Sequence, residues 1–302
     1  MEKVKKIDIH VHTSESGWLT RLPDSRYATP EELIAIYDSI GVEKGVLLPN
    51  VTVEADFNTS SNYETWLTVQ KWPDRFDWFC NLDARMGGNS PESDFTPYLK
   101  FVKEKGAKGV GEVSTNIYFD DPLMLNMFRH CEKNDMPLTF HIGDMGRDYG
   151  IVDDFGLPHL EAALSACPRL RFLGHSQKFW AEISGDLTRE QRGGYPTGKV
   201  APGGRLITLL REHPNLCCDL SAGSGYNALT RDPGFGYVFI EEFSDRLYYG
   251  TDICDPNNVT RPMLKLAAFL DEAAETGRIS YEAYYKVSRG NALKLLGAEN
   301  NA

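Results

Sequence analysis

Several things are scarce in this chain, and each scarcity removes a class of function. Positive charge is outnumbered: 32 Lys and Arg stand against 43 Asp and Glu, a net charge of −11. A surface of that sign repels nucleic-acid backbones and anionic membranes, so neither is expected as a partner. Long apolar runs are missing too, and nothing approaches the roughly 18 residues of a membrane span. The start, Met1-Glu2-Lys3-Val4-Lys5-Lys6, has no apolar stretch behind it, which argues against a secretory signal and for the cytoplasm. Cysteines are few and unpaired in sequence. The six, Cys80, Cys131, Cys167, Cys217, Cys218 and Cys254, include no CxxC pair. They sit mostly in apolar or strand-like surroundings and read as reduced thiols rather than disulfides or zinc ligands. Finally, no glycine-rich phosphate loop follows the first strand candidate, which counts against a doubly wound dinucleotide-binding sheet.

What remains is an ordinary globular composition, 41% hydrophobic and 25% charged over 302 residues. The most telling stretch is Ile7-Asp8-Ile9-His10-Val11-His12. Strict strand alternation puts Asp8, His10 and His12 on one face and Ile7, Ile9 and Val11 on the other. Two imidazoles spaced this way at a strand end can grip one metal ion, with Asp8 deeper as a supporting carboxylate. After it comes a loop to Ala28 that carries Trp18. Thr29-Pro30-Glu31-Glu32 then has the form of a capping box opening a helix.

A strand–helix rhythm follows. Strand candidates fall at 45–49, 76–81, 108–113, 137–141, 170–175, 216–220 and 247–252. Helical patterns lie between and after them, at 59–71, 95–105, 121–134, 157–166, 204–213, 235–243, 263–275 and 281–296. With the first strand this makes eight βα units, roughly 30–45 residues apart, as parallel sheets require. Eight units of this length close most naturally into a (β/α)₈ TIM barrel, here one domain over 1–302 with an extended loop, 176–203, after the sixth strand.

In such barrels chemistry gathers at the C-terminal strand ends. The polar residues there are His10 and His12 on the first strand, Glu112 on the fourth, His141 on the fifth, His175 on the sixth and Asp252 on the eighth. Pro49, Asn81 and Leu220, ending three others, are poor ligands. The remaining histidines, His130, His159 and His213, fall in helical patterns. A nitrogen- and oxygen-rich set without cysteine suits Zn²⁺ best, with Mn²⁺, Fe²⁺ and Co²⁺ as alternatives.

These residues carry a resemblance. Asp8-Ile9-His10-Val11-His12, Gly174-His175-Ser176, Arg246-Leu247-Tyr248-Tyr249-Gly250-Thr251-Asp252 and Gly290-Asn291-Ala292-Leu293-Lys294-Leu295-Leu296 together resemble the amidohydrolase superfamily, and within it the amidohydrolase-related branch. The resemblance implies a metal-dependent barrel hydrolase, with decarboxylases and hydratases among its members. Glu112 stands where two-metal members carry a bridging ligand, as in TatD-type nucleases; the acidic balance of this chain speaks against phosphodiester cleavage.

The roles implied are these. His10, His12 and Asp252 hold one ion, joined by His141 if only one ion binds. With two ions, Glu112 bridges, and His141 and His175 hold the second. Asp252 is the general base for the attacking water, and a free His175 would polarise the substrate carbonyl. Glu112 also reads as a substrate-orienting carboxylate, and His175 as an acid–base group without a metal. The leading reaction is hydrolysis of a small-molecule C–N or C–O bond (amide, lactone or ester) by metal-bound hydroxide. The rivals are non-oxidative decarboxylation or hydration of a small carboxylic acid, and a catalytically silent metal-binding protein. Substrate-contact candidates are Trp18, Arg147, Gln177, Lys199 and Arg205. The partner expected is a small molecule, and homo-oligomers are compatible with the chain.

Overall fold

The computed structural model describes residues 3–16, 20–22, 25–54 and 60–298. Eight strands form the frame: β1 (Lys6–Val11), β2 (Val42–Leu47), β3 (Phe76–Trp78), β4 (Val110–Val113), β5 (Leu138–Gly143), β6 (Phe172–His175), β7 (Leu216–Asp219) and β8 (Leu247–Tyr248). Neighbours in this order pair in parallel from β1 to β3 and from β4 to β8. Two single bridges close the ring, Cys80 to Val110 and Val11 to Ile253. At the second closure Ile9 N–H donates to Tyr249 O at 3.1 Å and Asp252 N–H to His10 O at 2.8 Å. This is the (β/α)₈ barrel that the sequence rhythm predicts. A two-stranded ribbon, Thr20–Leu22 with Ser25–Arg26, sits in the loop after β1.

The helices start and stop for local reasons. In helix Pro30–Ile40 the Thr29 side chain accepts from Glu32 N, the Glu32 carboxylate accepts from Thr29 N, and Gly41 closes the helix at φ 75°. That left-handed turn launches β2 at once, three residues before the strand expected at 45–49. No helix among the described residues is long and apolar enough to cross a membrane. The cysteines form no disulfide, and all but Cys254 are buried.

Two apolar layers hold the barrel. Inside it, Ile7, Ile9, Val46, Leu48, Phe79, Leu173, Cys217 and Tyr248 meet from six strands, and Ala292, Leu293, Leu295 and Leu296 of helix Asn291–Leu296 join them. That helix closes the floor. Between strands and helices lies the larger layer, where Leu47, Trp78, Phe140, Phe172, Cys218 and Tyr249 pack with helix residues such as Leu33, Met127, Leu209 and Phe239.

The strict alternation expected for β1 does not hold. Its register with β2 shifts between Asp8 and Val11, and His10 N–H donates to the Asp8 side chain at 2.9 Å. Such a bulge breaks the two-residue period. Ile7 and Ile9 therefore line the interior. Lys6 and Asp8 face the helices instead: Lys6 pairs with Asp271, and Asp8 accepts from Tyr37 Oη at 2.7 Å. Past the bulge His10 and His12 turn inward.

Two mouth segments also differ from expectation. The excursion 176–203 begins with a short helix, Gln177–Ala181. It is pinned by Arg192, which is 6% exposed, ion-pairs with Glu182 at 2.9 Å and donates to Asp153 O at 2.8 Å. Between the strand expected at 216–220 and the helix expected at 235–243 stands a further helix, Ala222–Thr230.

Candidate metal centre

The barrel mouth gathers His10, His12, Glu112, His141, His175 and Asp252 from five strands. His12 Nδ1 donates to Leu48 O at 2.8 Å, which leaves Nε2 as a lone-pair donor. That nitrogen lies 3.1 Å from His10 Nε2. His10 Nδ1 is in turn 2.5 Å from Asp219 Oδ2. Asp252 Oδ1 is 3.5 Å from His12 Nε2 and 3.8 Å from His10 Nε2, and Asp252 Oδ2 is 3.8 Å from His175 Nε2.

Glu112 sits at the middle and divides its two oxygens. Its Oε2 is 3.6 Å from both His10 Nε2 and His12 Nε2. Its Oε1 accepts from His141 Nδ1 at 2.8 Å and lies 3.8 Å from His175 Nε2. Two ligand groups therefore share this one carboxylate, His10–His12–Glu112 and Glu112–His141–His175.

The electrostatics favour a cation here. Burial alone would lower the His10 pKa, yet the Asp219 and Glu112 carboxylates raise it well above the usual imidazole value. Burial alone would raise Glu112, yet His10 and His141 hold it well below the ordinary carboxylate range. Burial and the His10 charge push His175 down to about 3, so its ring is neutral at physiological pH. Among the described residues no Lys or Arg ion-pairs with Glu112 or Asp219, whose only ion-pair partners there are histidines. Converging imidazoles and carboxylates without a Lys or Arg partner fit a divalent ion, which would take the place of the proton that the carboxylates hold on His10.

Asp219 is the residue that sequence reasoning passed over, because the seventh strand was read to its end at Leu220. It follows inward-facing Cys217 by two residues and so shares its face; that period was the available signal. It is fully buried, and it orients His10 as outer carboxylates orient metal-bound imidazoles. Ser221 was missed as well. It precedes helix Ala222–Thr230 without capping it through its side chain; its Oγ lies 2.9 Å from His175 Nδ1. Asp8 supports from behind, accepting from Thr251 N at 3.0 Å as well as from Tyr37.

Gly250 explains part of the Gly-Thr-Asp sequence. A Cβ there would stand 2.8 Å from Asp219 Oδ1 and 2.8 Å from Ser221 Cβ. Two residues on, Asp252 takes a left-handed backbone, φ 55°, an unusual conformation of the kind that gathers at functional sites.

Two clefts open over the cluster. The first is lined by His12, Glu112 and Asp252 with Tyr27, Ser114 and Tyr149. The second and wider one lies on the far side of Asp252, which borders both. Of the substrate-contact candidates, Gln177 lines the second cleft and donates to Tyr195 Oη at 3.2 Å. Arg147 and Lys199 are exposed on their loops and border neither cleft. Arg205 is occupied elsewhere, with Nε on Gly156 O at 3.0 Å and Nη2 2.5 Å from Glu161 Oε2. Trp18 lies outside the described residues.

Comparison with known proteins follows the same lines. No curated protein sequence matches the chain. An uncharacterised TIM-barrel protein from Bordetella bronchiseptica superposes with a TM-score of 0.65 at 18% identity, covering 98% of this chain and 99% of that one. A dihydroxybenzoic acid decarboxylase from a Polaromonas species, holding manganese and 2-nitroresorcinol, gives 0.55 at 16% identity over 98% and 97%. A probable 2-pyrone-4,6-dicarboxylic acid hydrolase from Acinetobacter baumannii, with citric acid bound, gives 0.55 at 15% identity over 97% and 100%. At these identities the likeness establishes the barrel. The family model described as amidohydrolase matches residues 7–298, and the chain, a metal-binding enzyme by its kinship and its ligand groups, belongs to that family.

Proposed function

We propose that the protein is a hydrolase of a C–N or C–O bond in a small organic molecule, working with two divalent ions. The observation that carries this reading is the split of the Glu112 carboxylate between the His10–His12 pair and the His141–His175 pair. One oxygen for each pair is the disposition of a bridging ligand. In this reading His10, His12 and Asp252 would hold one ion, His141 and His175 the other, and Glu112 would contribute to both. Zn²⁺ is the first choice on donor chemistry, and Mn²⁺ the second, by analogy with the Polaromonas structure.

A divalent ion at this site supplies Lewis acidity, which brings the pKa of a water near neutrality and polarises a carbonyl. The chain's own residues do the rest. Asp252, whose side chain is 26% exposed, faces both the ligand cluster and the clefts. It can take a proton from the attacking water and hand it to the leaving nitrogen or oxygen. Asp219 fixes the His10 ring, and Leu48 O fixes the His12 ring. Buried, reduced cysteines support a cytoplasmic setting.

A second reading has its own support: the Polaromonas relative is named a decarboxylase. There a single ion would be held by His10, His12, His141 and Asp252, leaving His175 free to act on a carboxylic acid. Elemental analysis separates the two. Two ions per chain, falling to one or none in Glu112→Gln, with turnover of lactones or amides, is the expected result. One ion per chain with CO₂ released from a hydroxybenzoate would overturn the hydrolytic reading in favour of the second.

A further inference from the structure

Beside the second cleft lie buried polar atoms without a hydrogen-bond partner. Helix Ala222–Thr230 leads from β7 along its wall, and Ser224 and Arg231, seven residues apart, share one helical face. Ser224 is 3% exposed, and its Oγ has no hydrogen-bond partner. Arg231 Nε and Nη2 are likewise buried and unpartnered. Both residues border a narrow recess, together with Gln177, Tyr195 and Asn227. Arg231 and Asn227 also line the wider cleft that runs to Asp252.

The carboxylates closest in effect to Arg231 are Asp186 and Asp232, but burial outweighs them and lowers the guanidinium pKa from its usual value. Both are engaged elsewhere: Asp186 accepts from Ser184 Oγ at 2.6 Å, and Asp232 from Val200 N at 3.1 Å. Nε–H and Nη2–H form one edge of the planar guanidinium, two parallel donors spaced to meet the two oxygens of a carboxylate. A half-buried cation with that edge unmet favours an incoming anion.

We propose that the Arg231 end of this wider cleft is a carboxylate subsite: Arg231, aided by Asn227, binds the carboxylate of a small organic acid whose other end reaches the ligand cluster past Asp252. A phosphate dianion fits less well, since one guanidinium between Asp186 and Asp232 offers too little positive charge. The placement of the acid's other end rests on the functional reading given above; the subsite itself does not.

The test is direct binding of benzoate, isophthalate, isophthalamide and inorganic phosphate to the full-length, metal-loaded protein by calorimetry. At least one of the two acids should bind, with isophthalamide and phosphate far weaker. Arg231→Met, or Arg231→Gln should that variant fold poorly, should weaken the acid by about tenfold or more with metal content and melting temperature unchanged. Arg231→Lys should keep part of the affinity. In His10→Ala/His12→Ala the Arg231-dependent share of binding should persist, so that the subsite stands even where the metal reading fails. The proposal is overturned if neither acid binds, if the neutral amide or phosphate binds as well as the acids, or if Arg231→Met leaves acid affinity unchanged.

Discussion

The two faces of β1 each bury charge, and they do so differently. On the face towards the helices, Lys6 meets Asp271 and the Tyr284 hydroxyl, and Asp8 is surrounded by donors from Tyr37, Thr251 and His10. The Lys6 cluster is a closed account, with one cation, one anion and a hydroxyl. On the interior face, three carboxylates, Glu112, Asp219 and Asp252, converge with four imidazoles, and Glu112 and Asp219 meet no basic side chain among the described residues. A balanced buried cluster holds structure together; an unbalanced one marks a place where a cation is taken up.

The sharpest way to break that contrast is to disarm the interior face. His10→Ala with Asp252→Asn should bring turnover to background and abolish metal retention, while the far-ultraviolet circular dichroism of the barrel stays the same. Activity surviving in that double variant would remove metal catalysis altogether. Asp219→Asn touches no proposed ligand position and should still lower metal affinity by about 10- to 100-fold, read by competition with a chelator, because it deprives His10 of its orienting carboxylate.

On the helix-facing side the expectation reverses. Lys6→Met should leave metal content and turnover alone and lower stability by about 1–3 kcal/mol, measured by urea unfolding, since Asp271 loses its partner. A loss of metal in that variant would show that the two faces are not separate. The smallest effect belongs to an exposed cluster that serves as a baseline. The Arg26 guanidinium, with the Thr29 amide, holds the Glu32 carboxyl down to about 2. A depressed carboxylate stabilises the fold above its unfolded value of 4.5, and this contribution is lost as pH falls towards 2. Glu32→Gln should flatten the acid limb of the stability curve slightly, without altering turnover near neutrality.

Much of the barrel was legible because its signals are local. The Thr29–Glu32 capping box and the apolar runs ending in His141 and His175 announce themselves within a few residues. The convergence of His10 and His12 with Asp252 followed from the barrel once eight units were counted. What could not be read depended on partners distant in sequence. The β1 bulge is one case: nothing in Ile7 to His12 says that Asp8 will face Tyr37 and Thr251 while His10 turns inward. Asp219 is another, since its importance lies in a hydrogen bond across 209 positions of chain. The occupation of Arg205 by Glu161 is a third, because a lone arginine in a loop looks the same whether it is spent or free.

The floor of the barrel has one more implication. Ala292, Leu293, Leu295 and Leu296 stopper the cylinder from below, so the reaction chamber is a blind alley. Whatever enters over Asp252 must back out by the same door, and a product that resembles its substrate will compete with the next arrival at the threshold.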